Sequence, residues 1–215
     1  MPKLRIENFK CYRKEELLFG DLTVLVGTNG AGKSSVIQSL LLLHEAVKSP
    51  KENRRLPLND FRSQNLGSAS DIVFNNDTSL DIKLSWVVDK PLKSSRVILR
   101  RPDGDAMFNI DKVKCSKGEN ELTKAEFHFI SADRIGSSIA QSMHSSENLN
   151  IGDKGEYCAQ LLADTYSHKV NSLRLYDNNT SPFILDQENL YIKDLFPGVE
   201  IVANSSEKMQ TAQVQ

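Results

Sequence analysis

The chain has 215 residues and a mass of 24.1 kDa, with 39% apolar and 26% charged residues and a mean hydropathy of -0.39. Lys and Arg number 27 against 28 Asp and Glu, for a net charge of -1. This speaks against a free-standing basic nucleic-acid binder but leaves room for a local patch. No apolar stretch of about 18 residues occurs, so a membrane span is excluded. The charged N-terminus has no apolar signal core, and the widely separated Cys11, Cys115 and Cys158 form neither a disulfide framework nor a zinc pattern, which predicts a reducing, cytoplasmic setting.

In chain order, Leu4 and Ile6 fall on one face of an opening strand, and Leu17, Leu18 and Phe19 continue a strand-like signal to the turn at Gly20-Asp21. Leu22-Thr23-Val24-Leu25-Val26 is apolar on both faces and β-branched, the pattern of a central buried strand. After a glycine-rich loop, Val36, Leu40, Leu43 and Val47 recur at helical spacing, and Ser49-Pro50 closes that helix. Its His44 is expected on the polar side. Lys48, Lys51, Arg54 and Arg55 make a small basic cluster, read either as solvated surface or as a contact.

Residues 78–125 read as an antiparallel β arm. Leu80, Ile82, Leu84, Trp86 and Val88 alternate, and two further strands flank a turn at Pro102-Asp103-Gly104. Trp86 is assigned to the core of that arm. Phe127–Ile130 reads as a short strand, 135–150 as a polar loop, and Ile151–Glu156 as the opening of a helix. A short helix over Gln187–Leu195 and an edge strand over Val199–Val202 follow. Residues 205–215 read as a polar tail, so the expected organisation is one domain over 1–204 with 78–125 inserted.

The chemistry concentrates in Gly27-Thr28-Asn29-Gly30-Ala31-Gly32-Lys33-Ser34, which fits G-x-x-x-x-G-K-[ST]. Glycines permit backbone angles that let successive N–H groups curl around a phosphate. Lys33 brings a mobile ammonium to β- and γ-phosphate oxygens, and Ser34 offers a hydroxyl to Mg²⁺. The helix that follows aims its N-terminal N–H groups at the same anion. A strand–loop–helix setting is what this motif requires. The motif specifies a nucleotide rather than a reaction. The Asn-Lys-x-Asp expected of a GTPase is absent from the sequence.

Leu4-Arg5-Ile6-Glu7-Asn8-Phe9-Lys10 together with Leu22 to Ser35 resembles the N-terminus of ABC-type ATPases of the RecF/SMC branch. These are often grouped as AAA-family ATPases, and the branch includes the overcoming-lysogenization-defect group. The resemblance covers residues 3–48, and is weaker at Phe129–Gly136 and Ile151–Glu156. It implies an α/β P-loop NTPase lobe of ABC/RecF type with an inserted antiparallel β subdomain. It implies ATP and Mg²⁺ as ligands, and a homodimer or a complementary ATPase or effector chain that sandwiches ATP between two heads. DNA is a possible further partner. Gly27, Asn29, Gly30, Ala31, Gly32, Lys33, Ser34 and Ser35 map onto the family's phosphate-binding loop, with Lys33 in the catalytic role. Tyr12 and Arg13 lie where relatives place side chains against adenine, Lys10 being a further candidate; solvated surface is the alternative. Gln64 is the candidate for the glutamine that senses Mg²⁺, beside Ser34. Several relatives belong to phage-defence systems.

The pattern also breaks. No Ser-Gly-Gly-like signature follows residue 60. Pro182–Glu188 imitates a Walker B strand, but Gln187 separates Asp186 from Glu188, and a loop leading into a helix is the preferred reading. Asp133 follows a strand signal with Arg134 where the catalytic acid belongs. His44, His128, His144 and His168 lack ligand spacing. Three readings follow. The first is a nucleotide-binding lobe whose signature and Walker B parts lie elsewhere, with little turnover alone. The second is a self-sufficient ATPase using Asp133 or Asp186. The third is an ATP-dependent regulatory module in which the β arm or the Lys48–Arg55 cluster binds DNA or a partner.

Overall fold

The computed structural model describes residues 1–48, 54–56, 58–59, 64–89, 92–100, 108–116, 122, 127–133, 141–142, 151–164, 169–177, 181–206 and 211–214. The chain divides into two compact units, Met1–Phe127 and His128–Gln215.

The first unit is a mixed α/β layer. Strands β1 (Lys3–Phe9) and β2 (Tyr12–Leu18) form a hairpin, helix α1 (Lys33–Lys48) follows the glycine loop, and β3 (Arg54–Leu56) and the short α2 (Ala69–Ile72) come next. Strands β4 (Ile82–Asp89), β5 (Leu92–Arg100) and β6 (Phe108–Cys115) complete a six-stranded sheet of order β2-β1-β4-β5-β6-β3. Every neighbouring pair is antiparallel. The strands of 78–125 are therefore continuous with the opening hairpin, because Leu4 and Ile6 pair with Trp86 and Leu84.

Period-2 alternation gives this sheet one apolar face. Leu4, Ile6, Leu84, Val97, Leu99 and Ile110 are fully buried, as are Leu42 and Leu43 of α1. Each such side chain stabilises the fold by about 1.5–3 kcal/mol through burial. Trp86 is buried against Phe19, the ring centroids 5.2 Å apart. His44 corrects the expectation of a polar helix side. It is buried, its Nδ1 lies 2.6 Å from the Leu122 carbonyl, and its ring stacks on Phe127 at 4.0 Å. A carbonyl partner and an aromatic cover let imidazole replace an aliphatic core residue.

The largest departure is Leu22–Val26. It forms no strand, and Leu22, Val24 and Val26 are 84%, 70% and 88% exposed. Strand geometry needs a hydrogen-bonded neighbour, and no described segment pairs with this run. Composition alone reported an apolar strand without its partner.

In the second unit, Gln141–Ser142 (β7), Ala203–Ser206 (β8) and Thr211–Val214 (β9) make a small antiparallel sheet of order β7-β9-β8. The tail thus contains a strand that showed no apolar period, since ladder bonds come from the backbone. Helix α3 spans Cys158–Ala163, and α4 spans Ile184–Leu195. Residues 127–130 are not a strand, and the edge strand expected at 199–202 lies at β8 instead. The turn at 102–104, the segment 134–136, His144 and His168 lie outside the described residues. No described helix is long and apolar enough to cross a membrane.

Candidate nucleotide site

The glycine loop leaves the unpaired run and enters α1 directly. Gly30 and Gly32 have φ of +82° and +91°, a region L side chains avoid. Their neighbourhoods differ. A Cβ on Gly30 would meet nothing within 4 Å, whereas one on Gly32 would lie 2.6 Å from Cys11 Sγ and 2.7 Å from the Tyr12 hydroxyl. The tip of the β1–β2 hairpin therefore rests on the last loop glycine.

The first intrahelical bond runs from the Val36 N–H to the Gly32 carbonyl at 3.1 Å. The N–H groups of Lys33, Ser34 and Ser35 consequently have no acceptor within the helix, as at any helix start. They open onto a cavity of about 300 Å³ lined by Lys10, Cys11, Asn29, Gly30, Gly32, Lys33, Ser34 and Ser35. The Lys33 ammonium is folded back, donating to the Gly27 and Thr28 carbonyls at 2.8 and 2.6 Å. The loop's own carbonyl oxygens thus satisfy the lysine.

Of the residues singled out from sequence, Asn29, Gly30, Gly32, Lys33, Ser34 and Ser35 thus meet at one cavity. Gly27 and Ala31 support the loop from outside the lining, the ideal Cβ of Gly27 falling 3.3 Å from that of Ala31. Tyr12 is turned to the loop rather than the cavity, its hydroxyl donating to the Gly32 carbonyl at 3.3 Å. Burial raises its phenol pKa. Arg13 is exposed on β2 and does not line the cavity.

Gln64 reaches the site through two intermediaries. Lys10 donates from Nζ to Gln38 Oε1 at 2.8 Å, and Gln38 Nε2 lies 3.5 Å from Gln64 Oε1. Burial lowers the Lys10 pKa, against the opposing pull of Asp71 and Cys11. The sequence reading did not find Cys11 or Gln38. Gln38 follows Lys33 by five positions and turns toward the hairpin, a relation visible only once β1 is docked.

No carboxylate is among the described residues that line the cavity. Asp133 forms an ion pair with Lys154 at 2.8 Å, and that hydrogen bond lowers its pKa. Asp186 lies in the first turn of α4, so Pro182–Glu188 leads into a helix and is not a Walker B strand. Gln187 is buried and accepts from the Tyr176 N–H while donating to the Asp177 and Ser181 carbonyls. Its place in the sequence reflects the packing of this unit.

A phosphate-shaped loop on a helix start recurs in many proteins, so family membership needs the whole chain. The family model described as AAA ATPase domain matches residues 1–210. The chain belongs to the AAA ATPase domain family. This AAA ATPase domain is 27% identical over 127 residues to the OLD nuclease of Thermus scotoductus, covering 56% of the chain and 21% of that protein. It is 31% identical over 98 residues to the DNA replication and repair protein RecF of Clostridioides difficile, covering 45% and 25%. The chain thus spans about a fifth to a quarter of the length of these curated relatives.

Proposed function

We propose that this domain binds Mg-ATP at the loop cavity and acts as one head of a nucleotide-driven dimer switch. The observation that carries the reading is the convergence of Lys33, Ser34 and the open N–H groups of the α1 start on one cavity. On binding, Lys33 exchanges two neutral carbonyl acceptors for charged phosphate oxygens, adding ion-pair attraction to hydrogen bonds that the ammonium already makes charge-assisted. The N–H groups of Lys33, Ser34 and Ser35 hold the same phosphates, favoured by the positive end of the helix. The Ser34 hydroxyl is the ligand this chain offers to Mg²⁺, which supplies neutralisation of phosphate charge when bound.

The cavity lining lacks a carboxylate among the described residues, so none of those lining residues is an acid that could orient an attacking water. The domain is accordingly a binding lobe with slow turnover by itself. A complementary chain supplies the signature and acidic residues that this sequence does not show. The same lining also supports the reading of an ATP-dependent regulatory module without hydrolysis. The relatives' names, a nuclease and a replication and repair protein, support a setting in DNA metabolism or phage defence.

The test is titration of the full chain with a fluorescent ATP analogue and Mg²⁺, for wild type and Lys33→Met. Saturable binding weakened at least tenfold by the substitution is expected. Equal binding by both proteins, or turnover at ordinary ATPase rates by the wild type alone, would refute this function.

A further inference from the structure

Lys10 lines the loop cavity together with Lys33, but it arrives from the tip of the β1–β2 hairpin. Its backbone holds φ at +49°, a left-handed conformation uncommon for a residue with a side chain. The Lys10 N–H donates to the Ile72 carbonyl at 2.8 Å, which pins the hairpin tip against the end of α2. The side chain is half-buried, and its ammonium forms no ion pair among the described residues. Asp71 attracts it from a distance, yet the Asp71 carboxylate is taken up by the Ser68 N–H and hydroxyl, both at 2.7 Å.

The side-chain partner of the ammonium is the Gln38 amide. Gln38 follows Ser34 by four positions in α1, so the two project from one face of the helix. An ammonium can only donate, which turns the amide oxygen toward Lys10 and leaves the amide NH₂ facing Gln64. The distances follow that order, 2.8 Å from Lys10 Nζ to Gln38 Oε1 and 3.5 Å from Gln38 Nε2 to Gln64 Oε1. A neutral acceptor fixes the direction of the charge without cancelling it. Burial without an anion disfavours the charged amine, and the Lys10 pKa is lowered for that reason. A half-buried cation with N–H donors to spare, beside the open N–H groups of the α1 start, is suited to an anion.

We infer that Gln38 is a positioning residue of this site, holding the Lys10 ammonium at the cavity as a second cation for the triphosphate. The inference rests on the reading of the cavity as an ATP site. Lys33 meets the phosphates from the loop and Lys10 meets them from the hairpin. Gln38 lies outside the cavity lining and acts only through Lys10. Packing of Lys10 over adenine would instead draw on the face of the ring, so a polyphosphate without a base separates the two roles.

The experiment is displacement of a fluorescent ATP analogue by Mg-ATP and by inorganic tripolyphosphate, using the full chain as wild type, Lys10→Gln, Gln38→Ala and the double variant. Lys10→Gln should weaken both competitors about tenfold or more, through loss of a hydrogen bond between charged partners. Gln38→Ala should weaken both by about three- to tenfold alone, but by less than about twofold in the Lys10→Gln background, because the two substitutions remove one contact. Carbon NMR of isotope-labelled lysine gives a signature that a merely structural role would not move. Mg-ATP should shift the Lys10 Cε resonance in the wild type and leave it unshifted in Gln38→Ala. The wild-type measurement stands whether or not a variant folds. Failure of the wild type to bind the analogue would overturn the ATP reading and this inference together. Binding by the wild type with an unshifted Lys10 resonance, losses confined to ATP and absent for tripolyphosphate, or additive effects of the two substitutions would overturn this inference alone.

Discussion

Replacing Gly32 by alanine tests whether the hairpin tip holds the phosphate loop. At φ +91° an alanine is strained by about 1–2 kcal/mol. Its Cβ would also fall 2.6 Å from Cys11 Sγ and 2.7 Å from the Tyr12 hydroxyl, close to 1 Å inside ordinary contact. Relieving such overlap by side-chain and backbone shifts costs about 1–3 kcal/mol. The total of roughly 2–5 kcal/mol converts, at about 2–4 °C per kcal/mol for a chain of this size, to a fall in melting temperature of roughly 4–20 °C. Gly30→Ala is the internal control. It shares the positive φ, at +82°, but meets no atom within 4 Å, so only the conformational part remains. Cys11→Ala removes one of the two collisions and should recover about 1 kcal/mol or more in the Gly32→Ala background. Thermal melts of the four proteins decide the matter. If Gly32→Ala melts no lower than Gly30→Ala, the hairpin does not brace the loop and the argument fails.

Two further outcomes bear on the first unit. Asp71 accepts from both the Ser68 N–H and hydroxyl at 2.7 Å, and these bonds lower its pKa. A depressed carboxyl stabilises the fold above its unfolded pKa of about 3.9. The melting difference between wild type and Asp71→Asn should therefore be present at neutral pH and vanish as pH falls through the lowered value; a difference independent of pH would sink this reading. Trp86, the sole tryptophan, is 6% exposed. Trp86→Ala should lower stability by about 3–5 kcal/mol in urea unfolding, and wild-type emission should shift red in the transition. A loss below 1 kcal/mol would show that the β4–Phe19 packing is not part of the core.

Much of the first unit is legible in its sequence because its elements are local. Alternation at Leu4 and Ile6 and at Ile82–Trp86 marks the apolar face, and the glycine–lysine–serine spacing marks the cavity. What the sequence hides depends on pairing between distant segments. Nothing near His44 announces that the Leu122 carbonyl and the Phe127 ring will enclose it. The Lys10–Gln38–Gln64 chain joins three separate elements. The pairing of Arg96 with Lys114 is equally invisible along the chain, since the two are 18 positions apart and meet only through register. Leu22–Val26 errs in the opposite sense, because a continuous apolar, β-branched run reports what a segment prefers and not whether a neighbour is present.

That run has a practical consequence for work with the protein in solution. Five uncharged, proline-free residues with open backbone groups are a template for edge-to-edge association. With no charge inside the run, nothing in it repels a second copy, and losses through precipitation should rise with concentration. Because Val26 is joined directly to Gly27, any strand that captures this edge also sets the direction in which the phosphate loop begins. Solubility and nucleotide affinity are thus two readouts of the same short segment.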